Sequence, residues 1–155
     1  MKKNVAIVLF VLSVIQSGFA QLKAYSFEQI DSLQRIQNRK TIVFIHTDWC
    51  KYCQAMKNTT FKNKEVIKRL NEDFYFITLN AEEKQTITFN TKNFVFKMNG
   101  NNSGIHELAY ELANLNNQAI FPTICVLNTQ NEIIYQESNY LPAKAFLIVL
   151  QKLKE

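Results

Sequence analysis

Thr41-Ile42-Val43-Phe44-Ile45-His46-Thr47-Asp48-Trp49-Cys50-Lys51-Tyr52-Cys53 is the stretch on which the reading of this chain turns. Residues 41–47 form a continuous β-branched and aromatic run, apolar on both parities and short for a helix, which predicts a buried central strand. Two cysteines follow at once with two residues between them, and a helix is expected to begin over residues 52–56. A strand feeding such a pair into a helix sets the first sulfur over unpaired backbone N–H groups and the positive end of the helix dipole. That setting favours thiolate over thiol. Thiolate is the form that attacks disulfides, so Cys50 and Cys53 read as a dithiol/disulfide redox centre.

Before this stretch, Ser26 and Gln29 form a capping-box pattern ahead of Phe27, Ile30, Leu33 and Ile36 at helical spacing. After it, Asn63 predicts the N-cap of a helix over 64–70, and residues 74–79 a second buried strand. Residues 86–89 and 94–96 alternate on either side of the turn-rich 90–93 and predict a hairpin, while 99–104 is a loop by composition. Helical spacing returns over 105–115, strands are expected at 123–127 and 132–136, and Pro142 opens a final helix over 143–153. This order predicts an α/β fold with a mixed central sheet and helices on both faces. The cysteine pair falls at the carboxyl end of the first long strand, where open α/β sheets build their sites.

The N-terminus carries the three parts of a secretory signal peptide. Lys2 and Lys3 form a basic region, residues 5–15 an apolar core, and Gly18-Phe19-Ala20 a small-x-small cleavage site. The apolar stretch is broken by Ser13, Gln16 and Ser17 and is shorter than the roughly 20 residues of a spanning helix, so no stable membrane insertion is expected. Taking 20 residues from 155 leaves 135, the size of one ordinary domain. The leader holds two of the eighteen Lys+Arg and none of the thirteen Asp+Glu, which leaves the remainder at +3. No basic stripe suggests nucleic acid. All three cysteines lie beyond the leader, and in an oxidising compartment an odd number leaves one unpaired. Cys125, inside the apolar run 123–127, reads as a small buried hydrophobe.

The strand followed by Asp48-Trp49-Cys50-Lys51-Tyr52-Cys53, with Phe121-Pro122-Thr123 opening a later strand, resembles the thioredoxin superfamily over essentially the whole of residues 21–155. More narrowly, Cys53-Gln54-Ala55-Met56, Thr59-Thr60-Phe61 and residues 66–74 are similar to exported thioredoxin-like proteins related to the C-terminal domain of thiol:disulfide interchange proteins. The resemblance implies a three-layer thioredoxin-like fold, an attacking Cys50 and a resolving Cys53. It also implies a cis Pro122 packed against the disulfide and a Phe121 that offers backbone to a bound substrate, with Trp49, Lys51 and Tyr52 beside the sulfurs. Its implied partners are disulfide-bearing proteins and an upstream electron donor, with no cofactor and with a monomer as the expected state.

Two departures stand out. Where the family often has a buried acid six positions before the first cysteine this chain has Phe44, which leaves Asp48, Glu82 and Glu83 as candidate proton acceptors by position. An insert over about residues 85–104 is absent from minimal thioredoxins, and it would either shape substrate choice or cover an edge strand. With no histidine between the cysteines, the expected direction is reductase or isomerase rather than oxidant. Two rival readings remain. A metal site would draw on Cys50, Cys53, His46 and His106, although zinc wants four convergent ligands and the chain has two histidines. A thioredoxin scaffold gripping partner proteins would need no turnover, its cysteines serving as a structural disulfide.

Overall fold

Strand β1 (Thr41–His46) is buried at every position, as its unbroken apolar run requires. In the computed structural model, which describes residues 21–100 and 103–154, this strand lies inside a four-stranded sheet. It pairs in parallel with β2 (Tyr75–Asn80) on one side and antiparallel with β9 (Thr123–Leu127) on the other, and β10 (Ile133–Glu137) pairs antiparallel with β9. The spatial order is β10-β9-β1-β2, a mixed sheet as expected. The predicted leader, residues 1–20, lies outside the described residues.

Alternation along these strands splits the core in two. Val43, Ile45, Ile77, Leu79, Cys125 and Leu127 pack against helices α1 (Phe27–Ile36) and α4 (Glu107–Ala113) through Phe27, Ile30, Leu108 and Leu112. Ile42, Phe44, Phe76, Ile124 and Val126 pack against α2 (Lys51–Asn58), α3 (Lys64–Asp73) and α5 (Ala143–Lys154) through Met56, Val66, Leu70, Phe146 and Leu150. Local signals set several helix ends. The Ser26 N–H donates to Gln29 Oε1 at 2.9 Å, and Asn63 Oδ1 accepts the N–H groups of Glu65 and Val66 at 3.1 and 3.2 Å.

The insert differs from its reading. The predicted hairpin exists as β3 (Ile87–Phe89) and β4 (Lys92–Phe94), but its turn is only Asn90-Thr91, both at positive φ, as the tightest hairpins demand. Residues 99–104, expected as a loop, instead belong largely to a second hairpin of β5 (Phe96–Gly100) and β6 (Ser103–His106). Turn-forming Asn99 and Gly100 there close β5, and Ser103 and Gly104 open β6. The helix expected over 105–115 is confined to Glu107–Ala113, because Asn116 and Asn117, at φ 55° and 63°, turn the chain between β7 (Asn114–Leu115) and β8 (Gln118–Ala119). None of these hairpins extends the main sheet. The first packs on α1, with Phe89 5.0 Å from Phe27, and the free edge of β2 is met by the N-terminal segment, where Tyr25 N–H donates to the Phe76 carbonyl at 2.8 Å.

Candidate active site

β1 delivers the chain through Thr47, Asp48 and Trp49 to Cys50, which is the N-cap of α2. Cys50 adopts extended φ and ψ of −75° and 108°, so its sulfur turns back over the first turn and accepts the Cys53 N–H at 3.1 Å, while its carbonyl accepts the Gln54 N–H at 3.0 Å. A sulfur here occupies the place of a capping oxygen, facing unpaired amides and the positive end of the helix. Cys50 and Cys53 form a disulfide with Cα atoms 5.2 Å apart. Cys50 keeps 6% of its surface exposed, against 0% for both Cys53 and Cys125. Of the three cysteines, Cys50 alone reaches solvent.

The other residues singled out by sequence surround this sulfur unevenly. Trp49 and Tyr52 are 68% and 66% exposed, and Lys51 is an exposed first residue of α2. Trp49 Nε1 donates to Glu82 Oε1 at 3.2 Å, and its ring meets Phe121 edge-on with centroids 6.5 Å apart. The Phe121–Pro122 peptide bond is cis and Pro122 is buried. Thr123 fastens the segment around Pro122, its Oγ1 donating to the Ile120 carbonyl at 2.7 Å and lying 2.6 Å from Ser138 Oγ. Tyr140, unnoticed in the sequence, stands 6.4 Å from Tyr52 between ring centroids.

The sequence reading also missed a polar cluster under α2. Lys57 Nζ donates to His46 Nδ1 at 3.1 Å, and Asp48 Oδ1 lies 4.0 Å from each of them. Lys57 follows Cys53 by four residues and so shares its side of the helix, a spacing visible in the sequence. His46, stacked on Phe44 at 5.3 Å, is pushed down to about 4 by burial first and then by the neighbouring Lys57 charge, against the raising effect of Asp48. It is therefore neutral near pH 7.

Of the carboxylates considered as proton acceptors, each is engaged elsewhere. Asp48 Oδ2 accepts from Asn80 Nδ2 at 3.2 Å, Glu82 holds Trp49, and Glu83 Oε1 accepts the N–H groups of Lys84 and Gln85 at 2.7 and 2.9 Å. Phe44 is fully buried and packs on Phe61 at 4.8 Å, so the position taken by an acid in many relatives is part of the apolar core here. The two histidines of the metal reading are occupied separately. His106 Nδ1 accepts the Leu108 N–H at 3.3 Å and its Nε2 lies 3.2 Å from the Gln85 carbonyl, a capping role at the start of α4. Among the described residues no group of three or more His, Cys, Asp or Glu side chains is arranged to hold a metal ion.

Residues 27–154 match the model of the thioredoxin-like domain. The chain belongs to the thioredoxin-like domain family. Solved structures similar to this thioredoxin-like chain include a thioredoxin from Thermus thermophilus at 18% identity and TM-score 0.60, the match covering 85% of this chain and 86% of that one. They also include the DsbH oxidoreductase at 12% identity and TM-score 0.61, covering 87% and 85%. A third is the oxidised C-terminal domain of DsbD from Neisseria meningitidis, at 14% identity and TM-score 0.56, covering 84% and 99%. At these identities the likeness is one of fold. No curated protein matches the chain by sequence. Among the described residues no helix is long and apolar enough to cross a membrane.

Proposed function

We propose that this thioredoxin-like chain is a thiol–disulfide oxidoreductase that reduces or isomerises protein disulfides. The observation that carries the reading is the asymmetry of the pair, with Cys50 at a helix N-terminus and 6% exposed while Cys53 is sealed at 0%. In the reduced protein the Cys50 thiolate attacks one sulfur of a substrate disulfide. A Cys50–substrate bond forms as the substrate S–S bond breaks, and the other substrate sulfur leaves as a thiolate. Cys53, deprotonated, then attacks Cys50 Sγ. The Cys50–Cys53 bond forms, the second substrate sulfur leaves, and two electrons and two protons have passed from enzyme to substrate. A dithiol donor upstream reverses these steps on the enzyme and recharges it.

In this scheme Trp49, Tyr52 and the backbone of Phe121 receive the substrate chain, Pro122 packs beside the sulfurs, and the Lys51 charge favours the Cys50 thiolate. Absence of a histidine between the cysteines favours the reducing or isomerising direction. The basic, apolar and small-x-small segments of residues 1–20 support action after export, as a monomer in a compartment where disulfides persist. Insulin reduction with dithiothreitol as donor tests the activity, and equilibration against glutathione buffers tests the pair. The protein is expected to accelerate insulin reduction well above dithiothreitol alone and to titrate as one two-electron couple. A rate equal to the donor alone would reject the reading.

A further inference from the structure

Between the second and third hairpins and the Trp49 and Phe121 side of the redox site lies a cleft of about 540 Å³, within the range of about 300–1,000 Å³ typical of ligand sites. One wall belongs to the redox site itself, through Thr47, Trp49 and Phe121. The other is made by β6 and β8, through Gly104 and Gln118, with Tyr110 of α4 between them. Thr47, 1% exposed, has a hydroxyl with no hydrogen-bond partner among the described residues. The hairpin wall is closely packed at Gly104. A Cβ on Gly104 would collide with the Lys97 carbonyl and the Phe96 ring, and Lys97 is itself tied to Glu107 at 3.2 Å.

Two properties define the occupant. Among the described residues β6 is laddered only to β5 and β8 only to β7, a further backbone bond on β6 running from the His106 N–H to the Ala81 carbonyl at 2.8 Å, so residues 103–105 and 118–119 bring strands laddered on one side to the cleft. The lining side chains are uncharged apart from Glu82, one of whose oxygens accepts the Trp49 N–H, so the wall formed by β6 and β8 favours neutral polar chain over charged chain. Resting on the exchange reading above, we propose that the cleft takes an extended, uncharged stretch of the disulfide-bearing protein substrate as an added strand against β6 and β8, next to the cysteine engaged by Cys50. Main-chain hydrogen bonds supply such binding without demanding one sequence. Phe121, two residues after β8, lines the cleft, meets Trp49 edge-on and packs against the core cluster that holds Cys50 and Cys53, so the cleft adjoins the redox site.

The test compares kcat/KM for insulin with kcat/KM for bis(hydroxyethyl) disulfide, which is too short to fill the cleft while reacting at Cys50. Gln118→Trp and Ser103→Trp, at exposed positions on the two edges, fill it. Each variant, with its fold checked by circular dichroism, is expected to lower the insulin-to-small-disulfide ratio about tenfold, mainly through KM. In the Cys53→Ala protein joined to insulin through Cys50, backbone amides of β6 and β8 are expected to gain protection from hydrogen exchange. An unchanged ratio in folded variants, or no gain in protection, would overturn the cleft while leaving the redox reading intact. A concentration-dependent dimer that these variants abolish would assign the cleft to a second copy of the chain and also overturn it. A wild-type protein inactive on both disulfides would instead reject the redox reading itself.

Discussion

Cys53 and Cys125 are equally closed to water at 0% exposure, yet they sit on opposite faces of one sheet and have opposite chemistry. Cys53 lies in the first turn of α2 and is bonded to Cys50, the one cysteine that keeps any exposure. Cys125 lies mid-strand opposite Val43, among Val43, Leu127 and the helices of the other face, and burial pushes its thiol up to about 12. Depth alone does not make a cysteine inert. What separates the two is the partner, and the partner is set by a strand that stops at a helix N-terminus instead of running on through the sheet.

Turnover should separate Cys50 from Cys125 by the largest factor. Cys50→Ala should lower insulin reduction by at least about a thousandfold, because no other thiol can form the mixed disulfide, whereas Cys125→Ala should stay within about twofold of wild type. Equal losses would mean that the two faces are chemically alike. Next in size is reactivity. After gentle reduction, iodoacetamide at pH 8 should modify Cys125 on the order of a thousandfold more slowly than a free thiol, since a group near 12 is about one part in ten thousand thiolate there. Peptide mapping over time measures this, and rapid Cys125 labelling in the folded protein would contradict its buried setting.

A smaller effect comes from His46, the buried base on the Cys53 face. The unfolded chain takes up this proton near 6.5 and the folded one only near 4, so between those values the unfolded state binds more protons. Stability is therefore full above about 6.5 and falls as the pH drops toward 4, by about 3 kcal/mol from this group. Urea midpoints between pH 7 and 4 should show the slope, and His46→Asn should flatten it. Reduction of the Cys50–Cys53 bond gives an effect of similar or smaller size. Closing so short a loop restricts the unfolded chain by about 2 kcal/mol at most, so the reduced protein should unfold at lower urea by that amount or less.

The half of the molecule that carries the chemistry was legible because its signals are local. An unbroken apolar run made β1, a two-residue spacing made the disulfide, and Asn63 made a helix start, none of which needs knowledge of distant contacts. The Cys125 run was equally plain, and its residue is the buried, unpaired thiol expected. The insert was harder to read. Residues 99–104 carry turn chemistry over nearly their whole length, and the strands beside them bury little, so composition could not tell a ribbon from a loop. Leu115 continued the spacing of α4, yet the left-handed Asn116-Asn117 turn ends it after Ala113. The His46–Lys57 contact was invisible because strand end and helix meet only in space, although the four-residue step from Cys53 to Lys57 hinted at it.

Cys50 is the sulfur proposed to meet substrate. Incubating the Cys53→Ala protein with insulin and mapping the covalent adducts by mass spectrometry tests this most directly. A mixed disulfide through Cys50 alone, resolved by added dithiothreitol, is the predicted result. An adduct on Cys125, or none while wild-type protein still reduces insulin, would contradict it.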